Sequence, residues 1–174
     1  QAAQAEPAAK VAIGLTQAQL QLQHNQLEQA LASLNELKKN NPEHPYVLKL
    51  LSRLYQRLQD HQQLLQLLPQ LKKQRVFDSQ QLTEIESQAI AGILARQADS
   101  GGFEQLQDYW LKLPAASRKL KDNILTYAKH LILMNQADEA ETLLRPLFKK
   151  QADAALLNLY GEAIGEEPGK QLQF

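Results

Sequence analysis

A spacing of 34 residues recurs along this chain and constrains its fold more than any single side chain does. Ala30 and Leu64 lie 34 apart, as do Leu106 and Ala140. Their neighbours keep step: Leu34 with Leu68, Leu37 with Leu71, Trp110 with Leu144 and Leu113 with Leu147. Between these positions apolar residues follow a 3.6-residue period instead of the alternation of a strand. A helical hairpin of this length cannot bury its apolar stripe alone and must stack on its neighbours. The register slips once, since Leu64 to Leu106 is 42 residues, and the extra eight are expected around the basic tract from Lys72 to Ser79.

Local breakers divide the pattern. Leu15, Ala18 and Leu22 share one face of a first helix, which Asn25 and Gln26 interrupt. Leu27, Ala30, Leu31, Leu34 and Leu37 form a second stripe, stopped at Asn41-Pro42 because a residue before proline is pushed out of the α region. Pro45 suits the first turn of a third helix carrying Leu48, Leu51, Ser52 and Tyr55. After Asp60-His61 a fourth helix carries Leu64, Leu65, Leu68 and Leu71, with a kink or early end expected at Pro69.

Asp78 or Ser79 is placed to cap the next helix, which buries Leu82, Ile85, Ala89, Ile90 and Ile93 and ends at Ser100-Gly101-Gly102. Phe103, Leu106, Trp110 and Leu113 follow, stopped by Pro114, and a turn over Ala115 to Ser117 comes next. Ile124, Tyr127, Ala128 and Leu131, then Ala137, Ala140, Leu144 and Leu147, form a further pair, with Pro146 inside its second helix. The expected hairpins are 11–40, 45–73, 79–113 and 117–150 within a single solenoid over 1–174. A segment over 153–164 would be a cap or a helix without its partner, and the cluster Gly165 to Gly169 would end it.

Composition closes off several classes of function. Lys plus Arg equals Asp plus Glu at 19 each, so no net charge draws the chain to nucleic acid or anionic lipid. With no cysteine there is no disulfide, thiol catalysis or cysteine zinc site. No run of about eighteen apolar residues is present to span a bilayer. Gln1 to Lys10 lacks the basic and apolar regions of a signal peptide, and a chain starting at Gln1 without methionine reads as a fragment or a processed chain.

The hairpin residues resemble the tetratricopeptide (TPR) pattern of a large residue, Leu, a small residue and Tyr on one helix, then Ala or Leu positions on the next. Leu48, Leu51, Ser52 and Tyr55 with Leu64, Leu68 and Leu71 fit it, as do Ile124, Tyr127, Ala128, Ala140, Leu144 and Leu147. The first hairpin keeps Ala18, Ala30 and Pro42, while the third departs, with Leu106 where Ala is preferred. The expected fold is therefore all-α, a TPR-type right-handed superhelix of antiparallel helical hairpins with about eight or nine helices.

A narrower resemblance rests on ordered strings: Gly14-Leu-Thr-Gln-Ala-Gln-Leu-Gln-Leu-Gln, His44-Pro-Tyr-Val-Leu-Lys-Leu-Leu and Leu64-Leu-Gln-Leu-Leu-Pro-Gln-Leu-Lys-Lys. Trp110-Leu-Lys-Leu-Pro, Ala140-Glu-Thr-Leu-Leu-Arg and Leu159-Tyr-Gly follow. Together these resemble the HemY family of proteobacterial inner-membrane proteins, from about Gly14 to Gly161. The resemblance implies a TPR region on the cytoplasmic side of a protein with two N-terminal membrane helices absent from this chain. It also implies a link to late protoheme and porphyrin metabolism, without an established reaction of its own.

No catalytic set emerges from the residues. His24, His44, His61 and His130 fall in different hairpins, mostly at turns, and none makes a His-x-x-x-His pair, so ordinary turn histidine outweighs a metal or haem site. Ser100-Gly101-Gly102-Phe103 lacks the lysine of a phosphate loop. Glu84/Glu86 and Glu139/Glu141 are two apart, do not face each other on a helix, and read as solvated faces. Tyr109 and Trp110 read as core residues.

The stronger candidate is a peptide-binding groove. Lys49, Arg53 and Arg57 run along one side of the third helix with Tyr46 nearby, and Lys129 takes the equivalent of Arg53 two hairpins later. Such cations can clamp an acidic peptide or a C-terminal carboxylate, although solenoid surfaces carry lysine and arginine for solubility as well. Lys72, Lys73 and Arg75 form a second basic group, a solvated loop with fewer cations than a lipid-binding cluster.

The expected function is a non-enzymatic protein-interaction scaffold, with haem-pathway enzymes as partners and no cofactor or nucleic acid. Two alternatives remain open, a porphyrin- or haem-binding module and a periplasmic lipoprotein-assembly TPR.

Overall fold

A computed structural model describes residues 2–150 and 153–163, and among them every regular element is a helix. In chain order these are α1 (Ala2–Gln23), α2 (Leu27–Asn40), α3 (Pro45–Leu58), α4 (His61–Lys73), α5 (Ser79–Lys112), α6 (Ala115–Arg118), α7 (Lys121–Leu133), α8 (Ala137–Lys150) and α9 (Ala154–Ala163). The chain packs as two compact units, residues 1–89 and 90–174, each with its own core. Ile164 and the cluster Gly165 to Gly169 lie outside the described residues.

The turns inside the hairpins account for the repeat. Asn25, Gln59 and Asn135 each adopt the left-handed conformation, with φ of 58°, 53° and 59°. In every case the next residue donates its backbone N–H five residues back, Gln26 to Gln21 O at 2.8 Å, Asp60 to Tyr55 O at 2.9 Å and Gln136 to Leu131 O at 2.8 Å. That bond satisfies a carbonyl which the helix end would leave open and turns the chain into the next helix. Asn25 and Gln59 are 34 residues apart, the repeat length itself.

In residues 1–89 the core joins α1 to α4 and the start of α5. Ala18, Ala30, Leu34, Leu48, Leu51, Leu64 and Leu71 are buried there. Gly14 allows a close approach, since a Cβ at that position would lie 2.8 Å from Leu37 Cδ2. Helix α3 is buried on more than one stripe, adding Val47, Leu50 and Leu54 to the expected positions, because it packs against α1, α2 and α4. On α4 the third buried leucine is Leu67, while Leu65 and Leu68 are only half-buried.

Two expectations are corrected in this unit. Helix α4 does not end at Pro69 but continues to Lys73, with Leu71 wholly buried. Proline in a helix interior costs about 3 kcal/mol, whereas burying Leu67 and Leu71 on either side of it recovers about 1.5–3 kcal/mol each. The extra residues of the long repeat are not in the basic tract either. The connection between α4 and α5 is short, and the excess lies in α5, whose regular part before Gly102 outruns the 14-residue α3 by about two and a half turns.

Asp78 caps α5 as expected, in a reciprocal box. Gln81 N–H donates to Asp78 Oδ1 at 2.8 Å, and Asp78 N–H donates to Gln81 Oε1 at 3.2 Å. Helix α5 is broken at Gly102, where φ is 66° and ψ is −160°, a backbone region open in practice only to glycine.

In residues 90–174 the core is built from Ile90, Ile93, Leu94, Leu106, Tyr127, Ala128, Leu131, Ala140, Leu144 and Leu156. The Trp110 and Tyr127 rings stack at 4.3 Å with their planes 8° apart, so Trp110 serves packing as expected. Helix α9 has partners, resting on both α7 and α8.

Candidate functional site

The cationic stripe on α3 exists because the opposite sides of that helix are consumed by the core. His44 precedes it as N-cap, its Nδ1 accepting from Val47 N–H at 3.4 Å, and Pro45 occupies the first turn. Tyr46 is half-buried and packs on the core of residues 1–89, while Arg53 and Arg57 are exposed.

The structure gives the three cations different roles. Lys49 Nζ stands 5.9 Å from the centre of the Phe77 ring, a cation–π contact with the segment preceding α5. Arg57 Nη1 donates to Leu22 O at 2.5 Å, closing one of the last carbonyls of α1, where a cation also answers the helix dipole. Arg53, between them, makes no ion pair among the described residues. It borders an open hollow of about 230 Å³ lined by Gln19, Leu22, Gln23, Leu50 and Arg57. An arginine beside amide side chains can hold a carboxylate in a bidentate pair while the glutamines donate from the flank.

Lys129, exposed on α7, belongs to the other compact unit, residues 90–174. Its neighbour His130 is half-buried, and burial pushes its pKa down. Asp99 pulls it back up and Lys129 lowers it further. His24 and His44 lie at turns and His61 opens α4, so the four histidines sit on different elements. Among the described residues no three His, Cys, Asp or Glu side chains converge.

The second basic group is mostly not a loop. Lys72 and Lys73 form the last turn of α4, and only Arg75 stands in the connection, with φ of 50°. Lys73 pairs with Glu43 and holds that carboxyl below its ordinary pKa.

One acidic residue departs from expectation. Glu141 is not on a solvated face but is 7 % exposed. Both its oxygens are engaged: Arg145 Nε donates to Oε1 at 2.9 Å, Arg145 Nη2 to Oε2 at 2.6 Å, and Tyr160 Oη to Oε1 at 2.6 Å. Tyr160 also stacks on Phe148, with ring centres 4.9 Å apart. The cluster ties α9 to α8, which spacing within α8 alone does not reveal. Nor does the α3 sequence disclose Gln19 and Gln23, which flank Arg53 from α1. Their one sequence signal is that residues 11–26 contain no Asp, Glu, Lys or Arg.

No helix among the described residues is long and apolar enough to cross a membrane. No protein-family model matches the chain. No solved structure matches it either. Among curated proteins, the chain is similar to Protein HemY of Escherichia coli K12, 29 % identical over 150 residues, which is 84 % of this chain. The same figures hold for Protein HemY of Escherichia coli O157:H7 and of Shigella flexneri. The chain spans 37 % of the length of these relatives. The chain is thus similar to HemY along most of its length, in agreement with the resemblance of its ordered strings between Gly14 and Gly161.

Proposed function

We propose that this chain is a non-enzymatic TPR-type scaffold, without a cofactor of its own, that binds other proteins. In this reading it is a cytoplasmic domain of a longer bacterial inner-membrane protein and gathers enzymes of late protoheme and porphyrin metabolism. The observation that carries the reading is its similarity to Protein HemY over 84 % of the chain. The hairpin packing supports it, because stacked hairpins offer an extended surface suited to holding another chain. Arg53, exposed beside Gln19 and Gln23, supplies a contact for an acidic partner segment.

The test is a pull-down with the immobilised domain against purified enzymes of late haem synthesis, at low and high salt. Recovery of at least one enzyme, reduced about tenfold by Arg53→Glu and by raised salt, is the expected outcome. Arg57→Glu is a poor probe, since it also removes the bond to α1. Recovery of none of these enzymes by the wild-type domain would overturn the haem-pathway assignment. Undiminished recovery by Arg53→Glu would displace the site.

A further inference from the structure

Residues 1–89 gather their basic residues at one end. Helices α1 to α4 are successively antiparallel, so the ends of α2 and α4 lie on the side of the connections 41–44 and 74–78. Lys38 and Lys39 fill the last turn of α2, and Lys72 and Lys73 that of α4. The two pairs are 34 residues apart, so stacked repeats carry them to equivalent places. The ion pair of Lys73 with Glu43 shows the approach directly, because it joins the end of α4 to the connection that leaves α2. Arg75 extends the group. It holds φ of 50°, whereas the three other non-glycine residues with positive φ, Asn25, Gln59 and Asn135, are amides.

The charge at this end is one-sided although the whole chain is neutral. Lys39, Lys72 and Arg75 are exposed and Lys38 is half-buried. None of these four forms an ion pair among the described residues. Glu43 is held by Lys73, and Asp78 accepts from Gln81 N–H. Glu36 borders the same hollow as Lys10, whose charge offsets it. At the opposite end the hairpin turns are followed by Glu28 and capped by Asp60, and Arg57 is bound to Leu22 O. Long side chains spread over two helix ends suit a broad anionic surface, where no fixed geometry is demanded. Helix α1 also starts at the basic end, since it runs antiparallel to α2 and Lys10 lies beside Asn40 and Asn41. In the reading proposed above, the membrane attachment precedes α1 and so reaches residues 1–89 from this end. We propose that this end, through Lys38, Lys39, Lys72 and Arg75, rests on the anionic headgroups of a lipid bilayer. The inference rests on that reading only in taking a bilayer as the anionic surface. Each cation close to such a surface raises binding about fivefold, and salt screens the attraction.

Co-sedimentation of the 174-residue chain with vesicles tests this, using about three parts phosphatidylcholine to one of phosphatidylglycerol against phosphatidylcholine alone. Wild type is expected to bind the mixed vesicles at least tenfold better at about 25 mM salt and to lose that preference at about 500 mM. Lys39→Glu/Lys72→Glu/Arg75→Glu should weaken binding at least tenfold with unchanged helical circular dichroism. Arg96→Glu/Lys112→Glu/Lys119→Glu makes the same change of net charge at exposed residues of the other unit and should retain more than half of it. Equal binding to the two vesicle types at low salt, or equal loss in the two triple variants, would overturn the proposal. So would a DNA duplex bound more tightly than the mixed vesicles at equal phosphate concentration, which would assign the edge to nucleic acid. Arg53, which the pull-down reads, lies two turns along α3 from this end. Vesicle binding by a chain that recovers no haem enzyme therefore sinks the haem-pathway reading and leaves this inference standing.

Discussion

Gly101 and Gly102 are adjacent, yet alanine should act on them in opposite directions. Gly102 holds φ of 66° and ψ of −160°, and a Cβ there would meet nothing within 4 Å. No neighbour resists the added methyl group, so the whole penalty of Gly102→Ala is backbone strain, about 1–3 kcal/mol. Gly101 lies in the regular part of α5, where replacing glycine by alanine gains about 0.5–1 kcal/mol. The nearest atoms its new Cβ would meet all belong to the side chain of Gln105, an exposed and flexible group that can turn away. The two variants should therefore differ by about 1.5–4 kcal/mol, or several degrees in Tm. Urea unfolding followed by Trp110 fluorescence reads this directly, because Trp110 is the only tryptophan and stacks on Tyr127 in residues 90–174, the unit containing the break. Gly102→Ala as stable as Gly101→Ala would refute the argument that the break needs glycine.

Two further outcomes follow from single contacts. Asp78→Ala removes the side-chain acceptor of the cap on α5, leaving only the bond from the backbone N–H of residue 78 to Gln81, and should cost about 0.5–2 kcal/mol in urea unfolding, while Asp78→Asn should cost less. The hydrogen bond from Arg145 and that from Tyr160 hold Glu141 below its ordinary pKa of 4.5 although burial opposes them. A folded value below the unfolded one adds stability that is complete above 4.5 and is lost as pH falls through the folded value. The protection of α9 amides from exchange, corrected for the intrinsic pH dependence of exchange, should accordingly fall on acidification below 4.5, and Glu141→Gln should flatten that dependence.

Much of the fold is written in short stretches. Asn25 and Gln59, a repeat apart, mark helix ends through bonds spanning five residues, and Asp78 caps α5 through a residue three positions away. The groove was legible only as a stripe. Lys49, Arg53 and Arg57 read alike along α3, and their difference comes from Phe77 and Leu22, which the α3 spacing does not contain. The tolerated Pro69 has the same origin, since its neighbours Leu67 and Leu71 are held by the core around α4 and not by the local helix.

The sequence by itself determined that this chain forms helical hairpins, and where most of them turn, because period, caps and left-handed residues act within a few positions of each other. Tertiary structure alone decided that the long repeat extends α5, that Glu141 is enclosed and that Arg53 stays available. Arg57 reaches a carbonyl 35 residues away and Tyr160 a carboxylate 19 residues away, and contacts at such separations exist only once the helices have packed.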